Sequence, residues 1–400
     1  MVDQEQFHQV VDGNLVPMLQ ATLQAQAQTS TPQEALVAYV DPIHIGVKPT
    51  RDAGYRLILT RSQPFTPQER RLAGHFIQEL AAVIALEAGA YQPDLLRAIQ
   101  RRVVARDLAE GTRRASLISV FERLETWSSQ TYEGQRIVSS VGLDGDPAGT
   151  GIPLDDLWNE PFAPVLTNGF DTLLVAGSDS EVNGVVQLRT GESSRTAPYR
   201  MGEIAWWASG DRIATVLNQR GEILVFKARS LRFARRSGSW HHYVHDTNIR
   251  RMSPPFDRDL REAIYESCLD VSFARTGGCI GVADYANRDG AARLVSADDL
   301  LAGATSYKAR LLSQFIGRKT FQALDRRARI ELLSLDGAMV LSHTGVVLAA
   351  GSIIEVPAGS VGGGGRSAAA QKLSEIGLGI KVSQDGTITG YRGRQPIFRS

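Results

Sequence analysis

The sequence predicts an α/β protein in three parts, on three observations. From Asp257 onward, helical and extended periods alternate. Between about Ser129 and Trp240, short apolar runs are cut by Gly, Asp, Asn and Ser turns. From the start of the chain to Ser128, two copies of one helix-start signal enclose strand-like runs. A chain of 400 residues exceeds one ordinary core at about 150 residues per domain. The expected organisation is a mixed α/β, helix-rich N-terminal domain over 1–128, a β-rich middle domain over 129–252, and a layered-sheet α/β domain over 253–400.

The helix starts are Thr31-Pro32-Gln33-Glu34 and Thr66-Pro67-Gln68-Glu69. Each offers a Thr cap, Pro at the first helical position and a Glu three positions after the cap, which satisfy orphan amides reciprocally. After the second, Leu72, Phe76, Leu80, Val83 and Ile84 form one apolar stripe. Strands are expected over 36–40 and 55–60, and helices over 95–104 and 117–124. In the middle part the strands are expected over 136–141, 172–176, 184–188, 204–208, 212–217 and 222–227, the last two joined by a hairpin turn at Asn218 to Gly221. Pro254-Pro255 closes that region.

Beyond it, Leu260, Ile264, Cys268 and Val271 line one helical face, and 279–285 reads as a buried strand. Helical stretches over 297–301, 309–315 and 321–329 lead into a strand over 338–342, a turn at His343-Thr344-Gly345 and a strand from Val346.

Hydrophobic residues make up 43% and charged residues 22%, the balance of a globular chain able to bury a core. Lys and Arg total 44 against 43 Asp and Glu, so no global field draws the protein to a polyanion, and any such site must be local. The two cysteines, Cys268 and Cys279, match no Cys/His ligand spacing, which points to a reducing cytoplasm without structural zinc. The start of the chain lacks a signal-peptide pattern, and the run from Leu80 to Leu86 falls far short of the roughly 20 residues a bilayer requires. No membrane association is expected.

Chemistry concentrates near the C-terminus. In Leu335-Asp336-Gly337-Ala338, a carboxylate stands where the backbone is bare enough for a ligand to approach, and such a group can hold a divalent cation. Alone, the tripeptide is the signature of a turn into a strand. Downstream, Ala358 to Gly365 forms a glycine-rich loop that runs through Arg366 and Ser367 into a helix over 368–375. Amides converging at a helix start suit phosphate, and Arg366 adds a planar donor fork. A plain linker before a capped helix is the alternative for the loop taken by itself.

The run from Glu331 through Asp336-Gly337-Ala338, Val346 to Gly351, Gly364-Gly365-Arg366 and Lys381 to Thr389 resembles the diadenylate cyclase domain, nearer its soluble DNA-integrity-scanning subgroup. The resemblance covers the last third of the chain, from Asp257 to Ser400. It implies a cyclase-like mixed-sheet fold and the condensation of two ATP molecules to cyclic di-AMP with Mg²⁺ or Mn²⁺. It also implies a homo-oligomer in which two catalytic faces meet. Asp336 takes the catalytic and metal-binding role; Gly337, Ala338, Gly364, Gly365, Arg366, Ser367 and Ser383 take nucleotide-binding roles. The family carries Arg-His-Arg after Gly-Thr, whereas this chain has Arg366, Ser367 and Ala368 after Gly364-Gly365. That departure leaves three readings: a weak cyclase, a cyclase with another product, or a non-catalytic nucleotide-binding sensor. The part of the chain up to about Arg250 would then sense or scaffold.

Other features weigh less. His241 and His245 would share a face on a helix, as metal ligands do, but no HExxH pattern joins them and a strand fits equally. Arg229, Arg232, Arg235 and Arg236, with Arg250 and Arg251, interleave with aromatics as in nucleic-acid-binding surfaces, although such runs are more often solvated faces or domain contacts. Trp206-Trp207 reads as sheet core. Cys268 reads as buried and inert.

Overall fold

The computed structural model describes residues 3–24, 28–32, 34–86, 93–188, 191–252, 256–287, 290, 293–356 and 364–400. Pro254-Pro255 and the part of the glycine loop from Ala358 to Gly363 lie outside them. The chain is α/β with mixed sheets and divides into two compact units: Met1–Ser194 with Arg200–Tyr243, and Arg195–Tyr199 with Val244–Ser400. Among the described residues, no helix is long and apolar enough to cross a membrane.

In the first unit, the second helix start works as its sequence requires. The Thr66 amide donates to Glu69 Oε2 at 2.7 Å and the Glu69 amide to Thr66 Oγ1 at 3.2 Å, opening the helix Pro67–Leu86. Two further helices follow, Pro93–Leu108 and Gly111–Ser128. At Thr31 the same signal closes a turn, with the Glu34 amide donating to Thr31 O at 3.1 Å, but no helix propagates. The Glu34 carboxylate accepts the Thr31 amide at 3.4 Å and is shared with the Ser30 hydroxyl at 2.9 Å and with Arg56 at 3.1 Å, on the strand Tyr55–Thr60, and Val37–Asp41 enters the sheet against His44–Val47.

A seven-stranded sheet runs in the order Val182–Gln187, Thr172–Ala176, Ser139–Leu143, Ile213–Leu217, Ile223–Lys227, Ser230–Arg236 and Ser239–His242. The stretch expected as a strand over 204–208 is a helix, Gly202–Trp207. Ile204, Ala205 and Ala208 are all buried, a spacing that suits one helical face and not a strand face. Trp207 lies on the sheet at Gly142, where an added Cβ would stand 2.6 Å from the indole. One hydrophobic core runs from Phe7 through Phe76 and Phe121 to Trp240.

The second unit positions the site, so its elements are numbered here. Helices α1 (His245–Arg251) and α2 (Arg258–Ala274) precede strand β1 (Gly278–Ala283). Then come α3 (Tyr307–Ile316), α4 (Arg326–Leu333), β2 (Ala338–Leu341) and β3 (Val347–Ser352). Helix α5 (Gly364–Leu373) and strands β4 (Gly377–Val382), β5 (Ile388–Arg392) and β6 (Gln395–Arg399) complete the unit.

The sheet order is β3-β2-β1-β4-β5-β6. β1 and β2 run parallel, with Ile280 opposite Met339, and every other pair is antiparallel. The expected helix over 321–329 is divided: a 3₁₀ turn covers Phe321–Ala323, and Asp325 caps a fresh start by accepting the Arg327 amide at 2.8 Å.

α2 and α4 are locked by buried charge. Arg326 grips Asp270 through two bonds, of 2.8 and 2.7 Å, and reaches Glu266 at 3.1 Å, while Arg329 pairs with the other oxygen of Glu266. Burial pushes both carboxyls above the usual range, opposed by the two guanidinium groups.

Helix α5 lies very close to the sheet because glycines face it. A Cβ on Gly379 would stand 1.9 Å from Ala370 O, and one on Gly281 2.8 Å from the Leu373 side chain. This close seat holds the first turn of α5 beside the end of β3 and the start of β2.

Candidate functional site

The turn from α4 into β2 sets Asp336. Gly337 adopts φ +105° and abuts the end of β3, where an added Cβ would lie 2.6 Å from Gly351 C and 2.7 Å from Ser352 N. Only glycine fits such a crossing. The carboxylate of Asp336 is exposed, whereas Ala338 is buried and pairs with Ser352 across the sheet.

Asp336, Gly337 and Ala338 line one cleft together with Gly364, Gly365 and Arg366. Its volume is about 930 Å³, within the roughly 300–1,000 Å³ of small-molecule sites. The two segments singled out in the sequence, separated along the chain by β2, β3 and the glycine loop, thus meet at one opening. Gly364, Gly365 and Arg366 form the first turn of α5, so the positive end of that helix borders the cleft. The Arg366 guanidinium rests on Gly277, where an added Cβ would lie 2.6 Å from Nη1; Gly277 has φ +71°. On the cleft floor Cys279 is buried, and burial pushes its thiol up to about 12 despite the nearby Arg366 charge.

Ser367 and Ser383 do not line this cleft. The Ser367 side chain is buried and its Oγ accepts from Lys381 Nζ at 2.6 Å. Ser383 sits at the β4–β5 hairpin, its amide donating to Thr387 O at 2.9 Å.

Sequence reasoning passed over Lys308, Asp299 and Ser352, which also line the cleft. Lys308 falls just before the helical stretch expected over 309–315, and no spacing ties it to Asp336. Its signal is visible only in three dimensions. Ser306 caps α3 by accepting the Ala309 amide at 3.1 Å, which sets Lys308 in the first turn, facing Asp299 and the end of β3.

Among the described residues, no group of three His, Cys, Asp or Glu side chains gathers to hold a metal. Asp336 nevertheless fits Mg²⁺ or Mn²⁺ in the manner of nucleotide enzymes, where one or two carboxylates serve and phosphates and water complete the shell. His241 and His242 lie in the strand Ser239–His242 and His245 opens α1, so no helix presents His241 and His245 together. The basic run is engaged inside the first unit. Arg229 lies 3.8 Å over Trp206, Arg235 is 3.2 Å from Glu125, and Arg236 is buried 3.0 Å from Glu222.

No family model matches the chain, and no curated protein matches it. Among solved structures, it is similar to the crystal structure of a double-cysteine variant of DacA from Staphylococcus aureus. The identity is 20%, the match covers 35% of this chain and 85% of that one, and the TM-score is 0.22. A likeness at that level defines neither family nor activity, and the site stands on its own geometry.

Proposed function

We propose that the cleft is the site of a diadenylate cyclase-like nucleotidyltransferase, which condenses two ATP molecules to cyclic di-AMP or a related cyclic dinucleotide. The observation that carries this reading is the convergence of Asp336 with the first turn of α5 and Arg366 on one cleft of nucleotide size.

The reaction forms a bond from a ribose 3′-oxygen to the α-phosphorus of the opposing nucleotide and breaks the bond to pyrophosphate. Performed twice, it closes the ring and releases two pyrophosphates. A divalent cation, when bound, would neutralise phosphate charge and favour ionisation of the attacking hydroxyl. Asp336 is the residue to hold it. Gly337 and Ala338 keep the wall low enough for a sugar to lie beside the carboxylate. The amides opening α5 and the Arg366 guanidinium receive the charge that builds on the transferring phosphate.

A single cleft holds one nucleotide, so turnover requires a second copy of the unit facing it. The part of the chain up to about Arg250 is then the natural place for control, with the N-terminal, middle and cyclase-like parts divided as in the sequence. Nucleotide binding without turnover is the second reading. It is favoured by Ser367, which stands where the family has His but is buried against Lys381, and by Ala368 in place of Arg.

The two separate in one assay. Purified protein is incubated with each of the four nucleoside triphosphates and Mg²⁺ or Mn²⁺, and products are read by mass spectrometry. A cyclic dinucleotide is expected. A melting temperature raised by ATP with no product would instead establish the binding reading.

A further inference from the structure

We infer that Lys308 is a second anion contact of the cleft, one that takes a terminal phosphate of the bound nucleoside triphosphate. The inference rests on the nucleotide reading of the site and names a residue that neither the sequence motifs nor the resemblance picks out.

Lys308 occupies the second position of α3, after the Ser306 cap. A cation there opposes the helix dipole, which favours negative charge at that end. The position is nonetheless held firmly. Lys308 Nζ donates to Gly351 O at 2.8 Å and pairs with Asp299. An ammonium has three donors. Two are used, and the third has no partner among the described residues. Gly351 is the residue against which Asp336 and Gly337 pack, with Asp336 O 3.2 Å from where a Gly351 Cβ would stand. The anchored ammonium therefore borders the same opening as Asp336.

A second observation points to a ligand at this wall. The next residue, Ser352, also lines the cleft; it is fully buried, and its hydroxyl has no hydrogen-bond partner among the described residues. An unpaired buried hydroxyl is costly and is retained where something else satisfies it. The negative group facing Lys308 is Asp299, whose side chain is 16% exposed against 45% for Lys308. Asp299 lines the cleft beside Lys308 and anchors the ammonium, whose side chain stays the more exposed of the two. The cleft thus carries cationic groups on two separate elements, Arg366 on α5 and Lys308 on α3. That arrangement replaces charge the loop lacks at Ser367 and Ala368.

The test is a set of affinities by calorimetry for adenosine, AMP, ATP and inorganic tripolyphosphate, on the full chain and on Lys308→Met and Lys308→Arg. Lys308→Met should bind ATP and tripolyphosphate about tenfold or more weakly, the equivalent of one charge-assisted hydrogen bond, and adenosine unchanged. Lys308→Arg should recover most of the loss. Equal ATP and tripolyphosphate affinity in Lys308→Met and wild type overturns the inference, as does an equal loss for adenosine, which would mark a structural effect. Tripolyphosphate binding that depends on Lys308, without ATP binding, would leave the anion contact standing and sink the nucleotide reading. Failure of the wild type to bind either probe overturns both.

Discussion

Gly337 carries two demands at once, a φ of +105° and contact with the backbone of Gly351 and Ser352. Replacing it with Ala should cost about 2–3 kcal/mol or more, since strain and collision add and the obstacle is backbone on both sides. The melting temperature of Gly337→Ala reports this, and nucleotide binding should be lost with it. Asp336→Asn is the contrasting case. The side chain is exposed, so melting should match wild type, while on the proposed metal-holding role turnover falls by about 100-fold or more. An Asp336→Asn protein that turns over normally would remove Asp336 from the chemistry. Gly337 shows why the local motif was legible in sequence: glycine beside a carboxylate announces bare backbone. Lys308 shows the limit, because its place depends on a cap at Ser306 and on the far end of β3, which lies beyond α4 and β2 along the chain.

At the scale of elements, one signal led to two outcomes. Thr66 to Glu69 begins the long helix Pro67–Leu86, whereas Thr31 to Glu34 closes a turn before a strand. In both, the Glu carboxylate accepts the Thr amide, but only the Thr66 hydroxyl returns a bond to the Glu amide; what differs around them is the sheet that Val37–Asp41 joins and the Ser30 and Arg56 that share Glu34. Tertiary pairing outweighs a local start signal, and a single sequence does not display its partners. The strand expected over 204–208 failed in the reverse direction, because two Trp in a row look extended until Gly142 is seen beneath one of them.

Glu69 also sets a pH dependence. Burial alone would raise its carboxyl, but Arg61 and the Thr66 amide hold it below the ordinary 4.5. A lowered folded value means the stabilisation is fully present above pH 4.5 and is lost as pH falls through the folded value. Glu69→Gln should destabilise the first unit by roughly 3 kcal/mol at neutral pH, leaving Arg61 buried and unpaired. The gap to wild type should narrow in acid denaturation below pH 4.5. In the second unit, Asp270→Asn weakens the two-bond grip of Arg326 and leaves it Glu266 at 3.1 Å, so a modestly lowered melting transition is expected.

For the whole molecule, the proposed reaction needs two catalytic faces to meet, so turnover per protomer should rise with protein concentration and level off once assembly is complete. A rate per protomer independent of concentration across the dissociation range would contradict face-to-face catalysis. With a net charge of +1 and the Arg229 to Arg236 run paired internally, few phosphates can be neutralised, so duplex DNA should bind weakly and with only a shallow salt dependence. The α/β class was legible from alternating periods, whereas the mixed C-terminal sheet was legible only through the family resemblance. The meeting of Asp336 with Arg366 was legible only through family resemblance, because periodicity carries no information on which strand end faces which helix start. The most direct measurement is product formation from ATP with Mg²⁺ or Mn²⁺ by folded, assembled protein, wild type beside Asp336→Asn. The expected result is cyclic di-AMP from the wild type and about 100-fold less from the variant. No cyclic dinucleotide from any of the four nucleoside triphosphates would contradict the assignment of this cleft as a nucleotidyltransferase site.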